Sequence, residues 1–177
     1  MKQYLPTPAA AGADGSFPAT GLAAGQCAPC VLMPGDPHRS KIISDLFRDA
    51  EFTAHRGTYA TYTGHTPNGT AIGVTSSGMG CSCVATAMEE LKAAGAETVI
   101  RVGTCGGVQP WMQPGRLVIA SGCVRGEGAS YEIVPPEFPA VADPLVVAAL
   151  MQAAQEAGED AIVGLYRSHD SFYMESK

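Results

Sequence analysis

The sequence predicts an α/β fold, and three observations carry that prediction. Short apolar runs that read as strands alternate with amphipathic helical segments. Several of those runs end in glycine-rich turns, and helix-capping residues stand where two of the helices begin.

Val31-Leu32-Met33 is a buried-strand run that stops at Pro34-Gly35. Asp36-Pro37 then supplies an N-cap and a proline at the first helical position, and Ile42, Ile43, Leu46 and Phe47 give helical spacing for about three turns. A hairpin-like stretch follows at 58–63, with Pro67-Asn68-Gly69 as its turn and 71–75 as the returning strand. That strand runs into Ser76-Ser77-Gly78-Met79-Gly80 and a second helix. On this helix Val84, Ala87, Met88 and Leu91 line one side, Glu89, Glu90 and Lys92 the other, and Gly95 ends it. Residues 98–102 form the next strand, so 71–102 is expected to be a βαβ unit with neighbouring parallel strands. Residues 116–120 are a further strand, Asp143-Pro144 caps a third helix closed by Gly158, and 161–165 are a last strand. Residues 1–26, rich in Ala, Gly and Pro, are expected to be an extended or poorly ordered arm ahead of a single domain at 27–177.

The 177 residues carry a net charge of −6 and no basic tract, which argues against non-specific binding to nucleic acid or to an anionic membrane. No run approaches the roughly 20 apolar residues of a membrane span, and no signal peptide is legible. The cytoplasm is the expected location. Cys27-Ala-Pro-Cys30 has the spacing of a redox pair or half a zinc site, yet no second pair follows and the four histidines are scattered. Ordinary reduced thiols and no metal are expected, with a redox or metal role for Cys27 and Cys30 as the alternative.

Chemistry is expected where strands end in glycine. There, backbone N–H groups can approach an anion and a helix N-terminus adds a favourable dipole. Arg39 stands four residues beyond Gly35, and Arg101 interrupts an otherwise apolar strand, with Thr104 three residues later. The planar arginine fork suits phosphate. The competing reading is a solvated Arg39 and an Arg101 paired with Asp36 or Glu97. No GxxxxGK[ST], GxSxG or HExxH motif is present.

The segments 31–39 (Val-Leu-Met-Pro-Gly-Asp-Pro-His-Arg), 76–80 (Ser-Ser-Gly-Met-Gly) and 100–107 (Ile-Arg-Val-Gly-Thr-Cys-Gly-Gly) resemble three signature segments of the uridine and purine nucleoside phosphorylase family. His55-Arg56-Gly57 and Ser168-His-Asp-Ser-Phe-Tyr173 are similar to two more, so the resemblance runs in order from about Cys30 to Tyr173. It implies a three-layer sandwich with a central mixed, mostly parallel sheet flanked by helices. It implies phosphorolysis of a nucleoside to free base and ribose 1-phosphate, with inorganic phosphate as co-substrate and no cofactor. By resemblance, Gly35, Arg39, Arg101 and Thr104 hold phosphate, and Arg56 is lent to it by a neighbouring subunit. Met79, Gly80 and Thr104 line the ribose, and Phe172 walls the base. The partners implied are nucleoside, phosphate and further copies of the chain, in dimers with shared sites that assemble into a hexamer.

Two departures qualify the resemblance. Residues 1–37 lack the histidine that family members often direct at a neighbour's ribose. The family pattern also continues past the position of Tyr173, with a Met-Glu pair for the ribose hydroxyls and the residues that read the base. A C-terminally incomplete chain, with exposed apolar faces, is therefore expected. Segments 126–131, 135–143 and 168–173 are more like the uridine branch, with the purine branch as the alternative. A nucleosidase using water, or a non-catalytic phosphate- or nucleoside-binding protein, are the rivals beyond it.

Overall fold

The computed structural model describes residues 7–173. The chain is α/β and divides into two compact units, the first ending at Thr104 and the second beginning at Cys105.

In the first unit, β1 (Cys30–Met33) is an interior strand of the sheet, with Val31 and Met33 buried. Asp36 accepts the His38 N–H at 2.8 Å and Pro37 stands in the first turn, so α1 (Pro37–Ser44) starts where the capping residues predict. It is shorter than expected, ending at Ser44. The side seated on the sheet carries Ser40 and Ser44, while Ile42 and Leu46 are exposed. Small hydroxyl side chains let a short helix lie close to the strands, and Leu46 falls beyond its end.

An edge strand, β2 (Arg48–Arg56), then pairs antiparallel with β3 (Tyr59–His65), which pairs antiparallel with β4 (Ala71–Thr75). The β3–β4 hairpin matches expectation. Strand β2 is absent from the sequence reading because it shows no apolar alternation: only Ala54 of its nine residues is buried, and its register shifts twice. Charged, irregular edges of this kind discourage pairing with other chains.

Helix α2 (Cys81–Ala94) begins after Gly80 and ends at Gly95, which adopts the left-handed conformation. It buries Ala87, Leu91 and Ala94 against Val31, Met33 and Tyr59 in the core cluster. A fully buried Leu or Met stabilises the fold by about 1.5–3 kcal/mol over leaving it exposed. Strand β5 (Thr98–Arg101) completes a sheet of order β2-β3-β4-β1-β5. The expected adjacency of the strands flanking α2 does not hold. Both β4 and β5 run parallel to β1, but β1 lies between them. The crossover thus skips over the strand already in place, which periodicity cannot reveal.

Of the expected N-terminal arm, residues 1–6 lie outside the described residues. The remainder has no regular element beyond the isolated Ser16–Ala23 bridge, yet Phe17, Thr20 and Leu22 are buried in the first unit. Glu90, expected on the polar side of its helix, is buried beneath this segment.

The second unit holds β6 (Val118–Gly126), α3 (Ala129–Ile133), β7 (Ala140–Val141), α4 (Pro144–Glu156) and β8 (Ile162–His169). Its sheet has the order β7-β6-β8, with β6 and β8 parallel. The Asp143 carboxylate accepts from Leu145 and Val146 N–H, as its capping position predicts. Both long strands extend past their expected ends. Val141, Leu145 and Leu165 are left largely exposed.

Candidate active site

The carboxyl ends of β1, β4 and β5 lie side by side, because β1 is parallel to both neighbours. Three turns leave this edge: Pro34-Gly35 into α1, Ser76–Gly80 into α2, and the stretch after Arg101. Backbone hydrogen bonds tie them together. Ser77 N–H donates to Pro34 O at 2.8 Å, and Val102 N–H donates to Met33 O at 3.0 Å.

Over this edge the structure brings Gly35, Arg39 and Arg101 to one point. A methyl carbon placed on Gly35 would lie 3.3 Å from Arg101 Nη2, 3.6 Å from Gly78 O and 3.8 Å from Arg39 Nη2. Arg101 is anchored from behind, with Nη1 donating to Met33 O at 3.1 Å and to Val102 O at 2.9 Å. Its Nη2 and Nε make no hydrogen bond to the described residues, and the Arg39 guanidinium makes none either. Among the described residues no carboxylate lies within ion-pair range of either arginine, so the pairing of Arg101 with Asp36 or Glu97 is not found. Desolvation, and then the positive charge of Arg39, hold the Arg101 guanidinium below its usual range. Two like charges whose Nη2 atoms stand 3.3 and 3.8 Å from one point repel by about 1–3 kcal/mol, depending on the effective dielectric. An oxyanion between them removes that cost and satisfies the open donors.

The 76–80 turn is fixed by its own contacts. Ser76 Oγ donates to Thr58 O at 2.7 Å and accepts from Ala60 N–H at 2.8 Å. Gly78 has a φ of 72° and sits so close to Thr58 that a Cβ there would lie 2.5 Å from its Oγ1. Only glycine fits both the backbone conformation and the space. Ser76 and Gly78 belong to a segment that carries the resemblance but have no role assigned from the sequence, and Thr58 has none either. The run of serine and glycine directly after a buried strand was the available signal.

The other expected residues are distributed as follows. Thr104 is exposed, three residues beyond Arg101, with no side-chain hydrogen bond to the described residues. Met79 is 92% exposed, and Gly80 precedes α2 with a φ of 88°. Arg56 ends the edge strand β2, three strand positions from β1, on the order of 14 Å at ordinary strand spacing. It stays with the N-terminal segment, donating from Nη1 to Phe17 O and Pro18 O, both at 3.2 Å. Phe172 belongs to the second unit, where it is 83% exposed and meets Tyr173 edge to face at 5.1 Å. In that unit Arg125 organises the loop after α3. It donates to Val134, Pro135 and Phe138 carbonyls and lies 4.5 Å from the Tyr131 ring centroid.

The thiols of Cys27 and Cys30 are unpaired, and among the described residues no group of three or more His, Cys, Asp or Glu could hold a metal. Burial pushes Cys27 up to about 11 and raises Cys30 as well, the reverse of an activated pair. At pH 8 roughly one Cys27 in a thousand is a thiolate. Iodoacetamide at that pH is expected to label exposed Cys105 and spare Cys27 in the folded protein, read by peptide mass spectrometry. Early modification of Cys27 would contradict its burial.

Comparison with known proteins accords with these elements. The family model of the phosphorylase superfamily matches residues 29–177. The chain is 46% identical over 150 residues to a uridine phosphorylase of Thermococcus kodakarensis, covering 85% of this chain and 54% of that protein. It is 40% identical over 149 residues to a guanosine phosphorylase of Halorubrum lacusprofundi, covering 82% and 60%. The crystal structure of uridine phosphorylase from Vibrio fischeri superposes with a TM-score of 0.88 at 33% identity, covering 92% of this chain and 68% of that one. The chain thus spans between 54% and 60% of the length of these two curated relatives. No helix among the described residues is long and apolar enough to cross a membrane. With a matched region that includes every strand and helix described, the chain belongs to the phosphorylase superfamily.

Proposed function

We propose that this chain supplies the phosphate-binding part of a nucleoside phosphorylase that cleaves uridine-like nucleosides to free base and ribose 1-phosphate. The observation that carries the proposal is the convergence of Arg39 and Arg101 over Gly35 with open donors and, among the described residues, no acidic partner. In this reading Gly35, Arg39, Arg101 and Thr104 hold the phosphate dianion, with Gly35 acting through its N–H. Met79, Gly80 and Thr104 face the ribose. The phosphate attacks the anomeric carbon as the glycosidic bond breaks and the base departs. Its negative charge stabilises the oxocarbenium-like sugar between them. The arginines fix the nucleophile. The reaction uses no cofactor, and phosphate is a co-substrate.

The favoured base is uracil, supported by the similarity to a uridine phosphorylase at 46% identity. Similarity to a guanosine phosphorylase at 40% keeps the purine reading as the alternative. Uridine and inosine, each with and without phosphate, distinguish these readings. Phosphate-dependent release of uracil and formation of ribose 1-phosphate are expected. Base release with free ribose in the absence of phosphate would replace this reading with a nucleosidase, and phosphate binding without turnover would favour a binding protein.

The protein acts as a homo-oligomer, a hexamer built of dimers in the cytoplasm, with Arg56 completing a neighbour's phosphate site. Its guanidinium is held by Phe17 O and Pro18 O of its own N-terminal segment and does not join Arg39 and Arg101, which supports this role. Arg56→Ala is expected to weaken phosphate use about as much as Arg101→Ala. Reassembling the two variants together is expected to restore roughly a quarter of wild-type activity, because a mixed two-fold pair contains one intact site. No recovery on mixing would contradict the shared site.

A further inference from the structure

We infer that Glu90 is a positioning residue for Arg56, acting through the buried turn at residues 17–22. The inference rests on the reading of Arg56 as a phosphate ligand and extends it to the device that aims it.

Glu90 lies on α2 and is 4% exposed. Its Oε1 accepts the Ala19 N–H at 2.9 Å and its Oε2 accepts the Thr20 N–H at 2.7 Å. No Lys or Arg among the described residues pairs with it. A buried carboxylate is costly, and here both of its oxygens are committed to the backbone of one short turn. The turn is closed by Phe17 N–H to Leu22 O at 2.6 Å and Gly21 N–H to Phe17 O at 2.9 Å. Phe17, Thr20 and Leu22 are buried, so the turn cannot slide over the surface.

The outer side of the same turn grips Arg56. The carbonyls of Phe17 and Pro18 both take Nη1, and Ser16 Oγ accepts from Nη2 at 3.3 Å. Gly21 lies against the guanidinium, and a Cβ there would be 3.6 Å from Nε. Asp14, the one carboxylate in range among the described residues, is exposed and 4.0 Å away, and Ser16 holds it chiefly through hydrogen bonds. Neutral carbonyls therefore orient Arg56 without cancelling its charge, and leave donors on Nε and Nη2 for an anion. Glu90 fixes the turn and the turn fixes the arginine.

The test is the dissociation constant for inorganic phosphate, measured by calorimetry on the assembled protein carrying Glu90→Gln, Arg56→Ala, or both. Glutamine keeps the shape but turns an amide donor toward one of the two N–H groups. Glu90→Gln is expected to weaken phosphate binding on the order of tenfold, since displacements near 1 Å are costly in such sites. In the Arg56→Ala background the same change is expected to have no further effect. Gly21→Ala, strained by a φ of 74° in the same turn and beside Arg56, is expected to act in the same direction and serves if Glu90→Gln does not fold. An effect of Glu90→Gln that persists undiminished without Arg56 would overturn the positioning role. So would unchanged phosphate affinity in both Glu90→Gln and Gly21→Ala. If Arg56→Ala itself leaves phosphate affinity intact, the shared-site reading fails, and this inference with it.

Discussion

Replacing Arg101 by alanine is expected to weaken phosphate binding by about 10–100-fold while leaving stability within about 1 kcal/mol of wild type. The first figure follows from losing a charged donor to the anion, about 1.5–3 kcal/mol, at 1.4 kcal/mol for each tenfold. The second follows from opposing terms. The variant loses the hydrogen bonds from Nη1 to Met33 O and Val102 O, and it also relieves the burial of the charge and the repulsion from Arg39 that together hold the Arg101 guanidinium below its usual range. A structural arginine behaves the other way, with a large fall in stability and little change in ligand affinity. Calorimetric titration with phosphate and urea denaturation of the same preparations separate the two. Large destabilisation with intact phosphate affinity would remove Arg101 from the site.

Gly78→Ala is expected to be the most damaging small substitution in the first unit, at about 2–5 kcal/mol. Two costs combine: a left-handed φ of 72° for a residue with a Cβ, and contacts of 2.5 Å to Thr58 Oγ1 and 2.8 Å to Thr58 Cγ2. The change also moves Gly78 O, which borders the point where Arg39 and Arg101 converge, so phosphate affinity is expected to fall with stability. Adding Thr58→Ala removes the overlap and leaves the backbone strain. The double variant is therefore expected to recover about half of the lost stability, read from denaturation midpoints. Equal stability of Gly78→Ala and wild type would show that the 76–80 turn is not held as described.

The parts of the fold legible in the sequence are those where local chemistry and tertiary context agree. Asp36-Pro37 and Asp143-Pro144 start helices because a short acidic side chain caps free N–H groups whatever packs above. Gly35 and Arg101 pointed to the site because a glycine at a strand end and a cation inside an apolar strand both need an external reason. What escaped was set by distant partners. Strand β2 forms because β3 offers it an edge, with almost no apolar signal of its own. Glu90 reads as a surface acid from its helical neighbours, and it is buried because residues 19 and 20 bring it two N–H groups. The insertion of β1 between β4 and β5 is likewise a matter of topology that no window of residues encodes. The pairing of Arg101 was left open between an anion and a carboxylate, and only the positions of Asp36 and Glu97 in the fold dismiss the second.

The central claim is that the Gly35, Arg39 and Arg101 cluster is an oxyanion site, and calorimetric titration of the protein with inorganic phosphate tests it most directly. Saturable binding that is lost in Arg39→Ala and in Arg101→Ala, with each variant still folded, is the predicted result. No binding by the wild-type protein, or binding indifferent to both arginines, would contradict it.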